Sequence, residues 1–171
     1  VEHNLIKSNH DFGIEIAGAG SFGFSLRSNT ISLTQGSGLV LAEGAHSVSI
    51  DGGTVDSNTG WGVLGMMVMD ISVRNLMVTN NGPSPVPITR SSGPAPIPLQ
   101  GGGGGARFWV TDPSEIRGST FRGNNGPAIE LANSTDFVLA DNTIETDGGH
   151  EGIVLEGAVG VGVIGNHVRS A

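Results

Sequence analysis

The segment ARFWVT, residues 106–111, sets an arginine and a tryptophan two positions apart. In an extended strand, residues i and i+2 share one face, so Arg107 and Trp109 should stand side by side. An indole can stack on the apolar face of a sugar ring, and a guanidinium binds carboxylates and hydroxyls. Glu130 in AIEL and Glu156 in IVLE hold related places in two later segments. If those segments stack, the two glutamates lie one layer and two residues apart, with carboxyls roughly 8 Å from each other. Such a separation suits a two-carboxylate hydrolytic pair. His150, in the turn DGGHEG beside Asp147 and Glu151, could act as a general acid or base. Each of these residues also has a plainer reading. The charges can be solvated, Trp109 can pack beneath a loop, and DGGHEG can be an ordinary polar turn.

What must position these residues is a repeat. Asn4 to Asn29 spans 25 residues, Asn29 to Gly53 spans 24, Gly53 to Asn75 spans 22, and Gly118 to Asn142 and Asn142 to Asn166 span 24 each. Asn75 to Gly118 spans 43, and the excess falls on PSPVPITRSSGPAPIPLQGGGGG, residues 83–105. One layer therefore carries a loop insertion, and its five consecutive glycines, 101–105, favour a mobile hinge at its C-terminal end.

Each period contains three short apolar bursts, such as GIEI, FSL and TIS in the first. Alternation with period two marks strands, and no segment sustains a helical period of 3.6. Three short strands per 22–25 residues is the pattern of a single-stranded, right-handed parallel β-helix of about seven coils. One coil cannot bury its own apolar residues, so stacked coils share a core. Asn and Gly recur because each coil turns a corner that favours a left-handed backbone. Two such columns emerge: Asn29, Gly53, Asn75, Gly118, Asn142, Asn166; and Asn9, Thr34, Asn58, Asn80, Asn124, Asp147. A leucine-rich repeat has an overlapping period, but leucine does not dominate here.

Alternation assigns the outward positions. The first outward column reads Glu15, Val40, Leu64, Trp109, Glu130, Val154, and the next reads Ala17, Ala42, Met66, Thr111, Ala132, Glu156, with Arg107 one outward step before Trp109. A third column reads Lys7, Ser32, Asp56, Val78, Arg122, Glu145, Arg169. Opposite charges at Arg122, Glu145 and Arg169 form a stabilising ladder; the alternative is a groove in which Arg122 binds a sugar acid.

Composition narrows the partners. The chain has 171 residues, net charge −8, one lysine, no cysteine, and 29 glycines. An acidic chain is a poor match for nucleic acid or an anionic membrane, and it repels an acidic polymer such as a uronate at long range unless a local basic patch overrides that. No run approaches the length of a membrane span, and the absence of cysteine leaves the redox compartment unread. No set of residues points to a metal or a cofactor. No signal peptide is visible and no capping helix is evident at either end. Uncapped ends expose strand edges, so a fragment of a longer β-helix or a homo-oligomer, a trimer in particular, is expected.

These repeats, of the form N-x-I-x-x-N…G-I-x-L…V-x-I, resemble the pectin-lyase-like superfamily of right-handed β-helix proteins. The resemblance implies a secreted or cell-surface protein acting on polysaccharide or oligosaccharide, as a lyase, epimerase or glycoside hydrolase. Trp109 and Arg122 would then contact substrate, with Glu130, Glu156, Arg107 and His150 as catalytic candidates. GGGGGARFW lacks the Asp of a calcium-binding nonapeptide, and no Asp-Pro-His motif of the kind alginate epimerases carry occurs, so both of those particular readings are disfavoured. The competing class is a non-catalytic spike, adhesin or structural segment. A catalytic groove should gather titratable groups with shifted pKa values beside the insertion. A structural segment should scatter its charges and show a large apolar patch, for which Leu64, Met66 and Met67 are the candidates.

Overall fold

A computed structural model describes residues 1–82 and 103–170. Every strand pairing is parallel, and each rung pairs with the rungs before and after it. The strands form three faces. The first face holds Ile14–Ala17, Leu39–Ala42, the start of Val63–Arg74, Ala106–Thr111, Ile129–Ala132 and Ile153–Glu156. The second holds the start of Ser25–Ser32, the start of His46–Asp56, the end of Val63–Arg74, Ser114–Arg117, Phe137–Ala140 and Gly162–Ile164. The third runs from Leu5–Lys7 through the ends of Ser25–Ser32 and His46–Asp56 to Met77–Thr79, Thr120–Arg122, Thr143–Thr146 and His167–Ser170. Among the described residues, six strands line each of the first two faces and seven line the third. The parallel solenoid expected from the repeat is what forms.

The inward side chains make one continuous core: Ile16 and Leu41 above, Phe108, Leu131, Phe137, Leu139 and Ile144 below. Burying Val, Leu, Ile or Phe contributes roughly 1.5–3 kcal/mol each, and only stacking provides that burial. Phe108 is fully buried in this core. It tilts against Phe137 with ring centroids 5.2 Å apart. Its rung-mate Gly65 has no side chain because a Cβ there would collide with the Phe108 ring.

The corner between second and third faces resolves the asparagine pattern into two adjacent columns with different jobs. The inner column is Asn4, Asn29, Gly53, Leu76, Ser119, Asn142, Asn166, with spacings of 25, 24, 23, 43, 23 and 24. Here the side chain of one rung accepts from the backbone of the rung before. Asn142 Oδ1 accepts from Ser119 N at 3.0 Å, while Asn142 Nδ2 donates to Ile116 O at 2.9 Å and to Asn166 Oδ1 at 2.9 Å. The outer column, one residue earlier, is left-handed: Ser28, Gly52, Asn75, Gly118, Asp141 and Gly165 all have positive φ.

Asn75 and Gly118 therefore belong to the corner and not to the amide ladder where the sequence pattern placed them. The same one-residue slip corrects the second ladder and the third column. Asn81 bridges Asn58 and Asn124, whereas Asn80 has φ 54°. Thr79, not Val78, stands between Asp56 and Arg122, and Val78 is buried in the core. Asparagine serves both columns, as an amide that bridges rungs and as a residue that tolerates a left-handed backbone, so residue type alone cannot separate them.

The expected insertion 83–105 lies largely outside the described residues. Its last three residues are part of the rung. Gly104 O accepts from Gly62 N and Gly105 N donates to Pro127 O, at 2.9 and 3.0 Å. All three, Gly103–Gly105, are buried. They are glycines because neighbouring chain comes too close for a Cβ, so the mobile hinge expected there is not what these three form.

Candidate functional site

The first face carries the chemistry that the sequence singled out, in a different register. Arg107 pairs with Leu64 on one side and Glu130 on the other, and Trp109 pairs with Met66 and Ala132. The outward columns are thus Glu15, Val40, Leu64, Arg107, Glu130, Val154 and Ala17, Ala42, Met66, Trp109, Ala132, Glu156. The insertion hid the register of this rung, and the columns expected from the sequence are two residues out at Trp109. Thr111 does not face outward. It follows Val110, a left-handed residue at φ 50°, pairs with Val68 and is fully buried.

This register brings Arg107 against Glu130. Arg107 Nε lies 3.1 Å from Glu130 Oε1, with side chains 19% and 13% exposed. The approach is not aligned as a hydrogen bond, and Nε–H has no acceptor among the described residues. The guanidinium carbon also sits 5.8 Å from the Trp61 ring centroid, a cation–π arrangement. Trp61 itself is buried. Its ring occupies the space that Gly104 leaves open, since a Cβ at Gly104 would strike Trp61 Cζ3. Both tryptophans of the chain therefore flank one arginine, Trp61 under the guanidinium and Trp109 in the neighbouring column. Sequence reasoning missed Trp61 because it precedes its strand. The available signal was the glycine run itself, whose Gly104 stands in register with Trp61 on the next rung.

Around the pair lies a second apolar cluster, outside the coil core: Val40, Ala42, Trp61, Leu64 and Met66, with Phe12, Ala17 and Trp109 packed on it. Leu64 is 0% exposed and Met66 3%, although both point outward. The exposed apolar patch expected at Leu64, Met66 and Met67 is thus corrected. Only Met67 is open to solvent.

The remaining candidates are scattered. Glu156 is exposed on the last rung, one rung and two residues from Glu130 as expected. His150 lies in the turn before that rung, with Nε2 3.2 Å from Asn125 Oδ1. Arg122 stands on the third face, away from Trp109, 3.9 Å from Glu145, which also accepts from Arg169 at 2.8 Å. The charge ladder read from the sequence is there.

The carboxyls held clearly below their ordinary range also lie off the first face. Arg169 does this for Glu145 by hydrogen bond and charge, with Arg122 adding to it. Burial works against ionisation of Glu115 but is outweighed by hydrogen bonds from Arg117, Arg74 and Ser72. Burial likewise opposes ionisation of Asp56, and hydrogen bonds from Thr79, Ser57 and Asn80 outweigh it. All three serve rung-to-rung ladders. Among the described residues, no group of three or more His, Cys, Asp or Glu could hold a metal ion.

The model of the right handed beta helix region matches residues 12–171. The chain belongs to the right-handed β-helix family. Among solved structures it is similar to two Azotobacter vinelandii proteins. The mannuronan C-5 epimerase AlgE4 A-module superposes with TM-score 0.68 at 16% identity, over 99% of this chain and 54% of that one. The AlgE6 A-module superposes with TM-score 0.65 at 16% identity, over 98% and 51%. At that identity the likeness is one of fold, and this β-helix spans about half the length of either solved relative. No curated protein matches the sequence.

Proposed function

We propose that this β-helix processes an acidic polysaccharide on its first face, with Arg107 receiving a sugar carboxylate and Trp109 stacking on a ring. The observation that carries this reading is the Arg107–Glu130 pair, mostly buried over Trp61, whose Nε–H has no acceptor among the described residues. A guanidinium already stripped of much of its water and held by an indole and a carboxylate is preorganised for a planar anion. Support also comes from the solved relatives, named as mannuronan C-5 epimerases, whose substrate by name is an acidic glycan.

Neutralising a uronate carboxylate acidifies the adjacent C–H, which is the first step shared by epimerisation and elimination. Glu130 is engaged in positioning Arg107, which favours that proton-abstraction chemistry over a hydrolytic pair with Glu156. Glu156, exposed on the same face two rungs beyond Trp109 in the same outward column, serves as the base, and a secreted or cell-surface location goes with such a substrate. The test is a glycan panel that includes polyuronates and neutral polymers, read for new ends and for epimer composition. Arg107→Ala and Trp109→Ala should each abolish product at a temperature where thermal unfolding shows both variants still folded. Product from neutral glycans alone, or unaltered turnover by Arg107→Ala, would overturn the reading.

A further inference from the structure

The corner between the first and second faces carries an arrangement unrelated to the Arg107 site. In the third rung the sequence reads Met66-Met67-Val68-Met69. Val68 points into the core and is buried, so the residues on either side of it face solvent: Met67 is 40% exposed and Met69 47%. Methionine is ordinarily a filler of cores, and here two methionines flanking one inward residue reach solvent.

His46 is the register partner of Met69 in the preceding rung, about 4.8 Å away at the strand spacing. Its Nδ1 lies 3.1 Å from Gly44 O. Giving that N–H to a backbone carbonyl leaves Nε2 with a free lone pair, the arrangement usual for a metal-binding imidazole. Phe22 stacks on the same ring, centroids 5.3 Å apart at 15°, and fixes its plane. The electrostatics favour a cation. Residues 18–22, 43–47, 67–70, 110–113, 133–136 and 157–160, which build this corner, include Glu43, Asp70, Asp112 and Asp136 and no lysine or arginine.

We propose that His46, Met67 and Met69 form a binding site for a soft monovalent metal ion, copper(I) in the first place. One imidazole nitrogen and two thioethers make a three-donor set that suits a soft ion and offers little to Zn²⁺, Ca²⁺ or Mg²⁺. Binding requires neither proton nor electron transfer, because Nε2 is already unprotonated in this tautomer and the metal keeps its oxidation state. The site stands or falls independently of the polysaccharide reading.

The experiment is a titration of the whole chain, labelled with ¹³C at the methionine methyls, with Ag⁺ as a redox-inert probe. Met67 and Met69 should shift and saturate near one equivalent. Met66 is buried and should not move. Met77 is the control, since it is 49% exposed but pairs with Thr54 and Thr120 on the third face and has no imidazole beside it in register. The Met67→Leu/Met69→Leu double variant, nearly isosteric at exposed positions, should lose saturable uptake. His46→Gln should weaken it about tenfold or more. An equal shift at Met77, undiminished uptake by the double variant, or no saturable uptake by the wild type would each overturn the proposal.

Discussion

Arg107 and Glu130 sit opposite each other on adjacent rungs of the first face, with Nε and Oε1 3.1 Å apart and both side chains more than four-fifths buried. Removing one member of such a pair leaves the other charge desolvated without compensation. Glu130→Gln should therefore destabilise the fold by about 1–3 kcal/mol. Arg107→Met should cost less, since its aliphatic stem can still cover Trp61. A double-mutant cycle by urea unfolding should give a favourable coupling; additive effects would mean that the pair does not interact.

Gly65 and Phe108 predict a size-dependent defect. Gly65→Ala puts a methyl into the Phe108 ring and should destabilise by roughly 1–3 kcal/mol through overpacking. Phe108→Leu alone should also destabilise, by opening a cavity. In the Gly65→Ala background it should cost less, because the smaller side chain relieves the clash. Thermal unfolding of the three variants checks this.

Asn142 makes three side-chain hydrogen bonds in the ladder. Asn142→Ala strands Ser119 N–H and Ile116 C=O in the buried corner and should cost about 2–4 kcal/mol, from one to two unsatisfied buried groups. Hydrogen exchange should show Ser119 losing protection first, and a uniform loss of protection across all rungs would point instead to global destabilisation.

Val110 is a β-branched residue held at φ 50° and 42% exposed. A left-handed backbone costs an L-residue roughly 1–2 kcal/mol, and asparagine escapes most of that. Val110→Asn should therefore raise the melting temperature, with little packing to lose. A lowered melting temperature would mean that Val110 makes contacts worth more than the strain.

Acid should weaken the fold through its ladders. Glu115 and Asp56 have folded-state pKa values below their ordinary 4.5 and 3.8. Groups depressed on folding contribute stability that is present above the unfolded value and lost as pH falls through the folded one. Unfolding free energy should hence drop as pH falls below about 4.5, a value taken from the Glu115 reference. Glu115→Gln should flatten that slope while lowering stability at neutral pH. A slope unchanged by the substitution would assign the acid sensitivity elsewhere.

The repeat was legible in the sequence because a β-helix writes its geometry directly into the chain. A rung of three short strands returns every 23–25 residues, each strand alternates with period two, and each corner needs a residue that accepts a left-handed backbone. Those are local requirements, so local pattern was enough to determine the solenoid, its inward Ile, Val, Leu and Phe, and the ladder of Arg122, Glu145 and Arg169. Register was another matter. Asn75 and Asn81 look alike in the chain but serve as a corner residue and a rung bridge. The difference of one position is decided only by which backbone groups meet across rungs. At Arg107 the preceding insertion removed the count altogether, and Trp109 was read two residues out. Trp61 lies 46 residues before Arg107, and nothing local to it reports that Gly104 leaves space for its ring. The sequence by itself determined what each rung is made of. Tertiary structure alone decided which rung positions face each other, because that depends on contacts between residues far apart in the chain, and those contacts make the Arg107 and His46 sites.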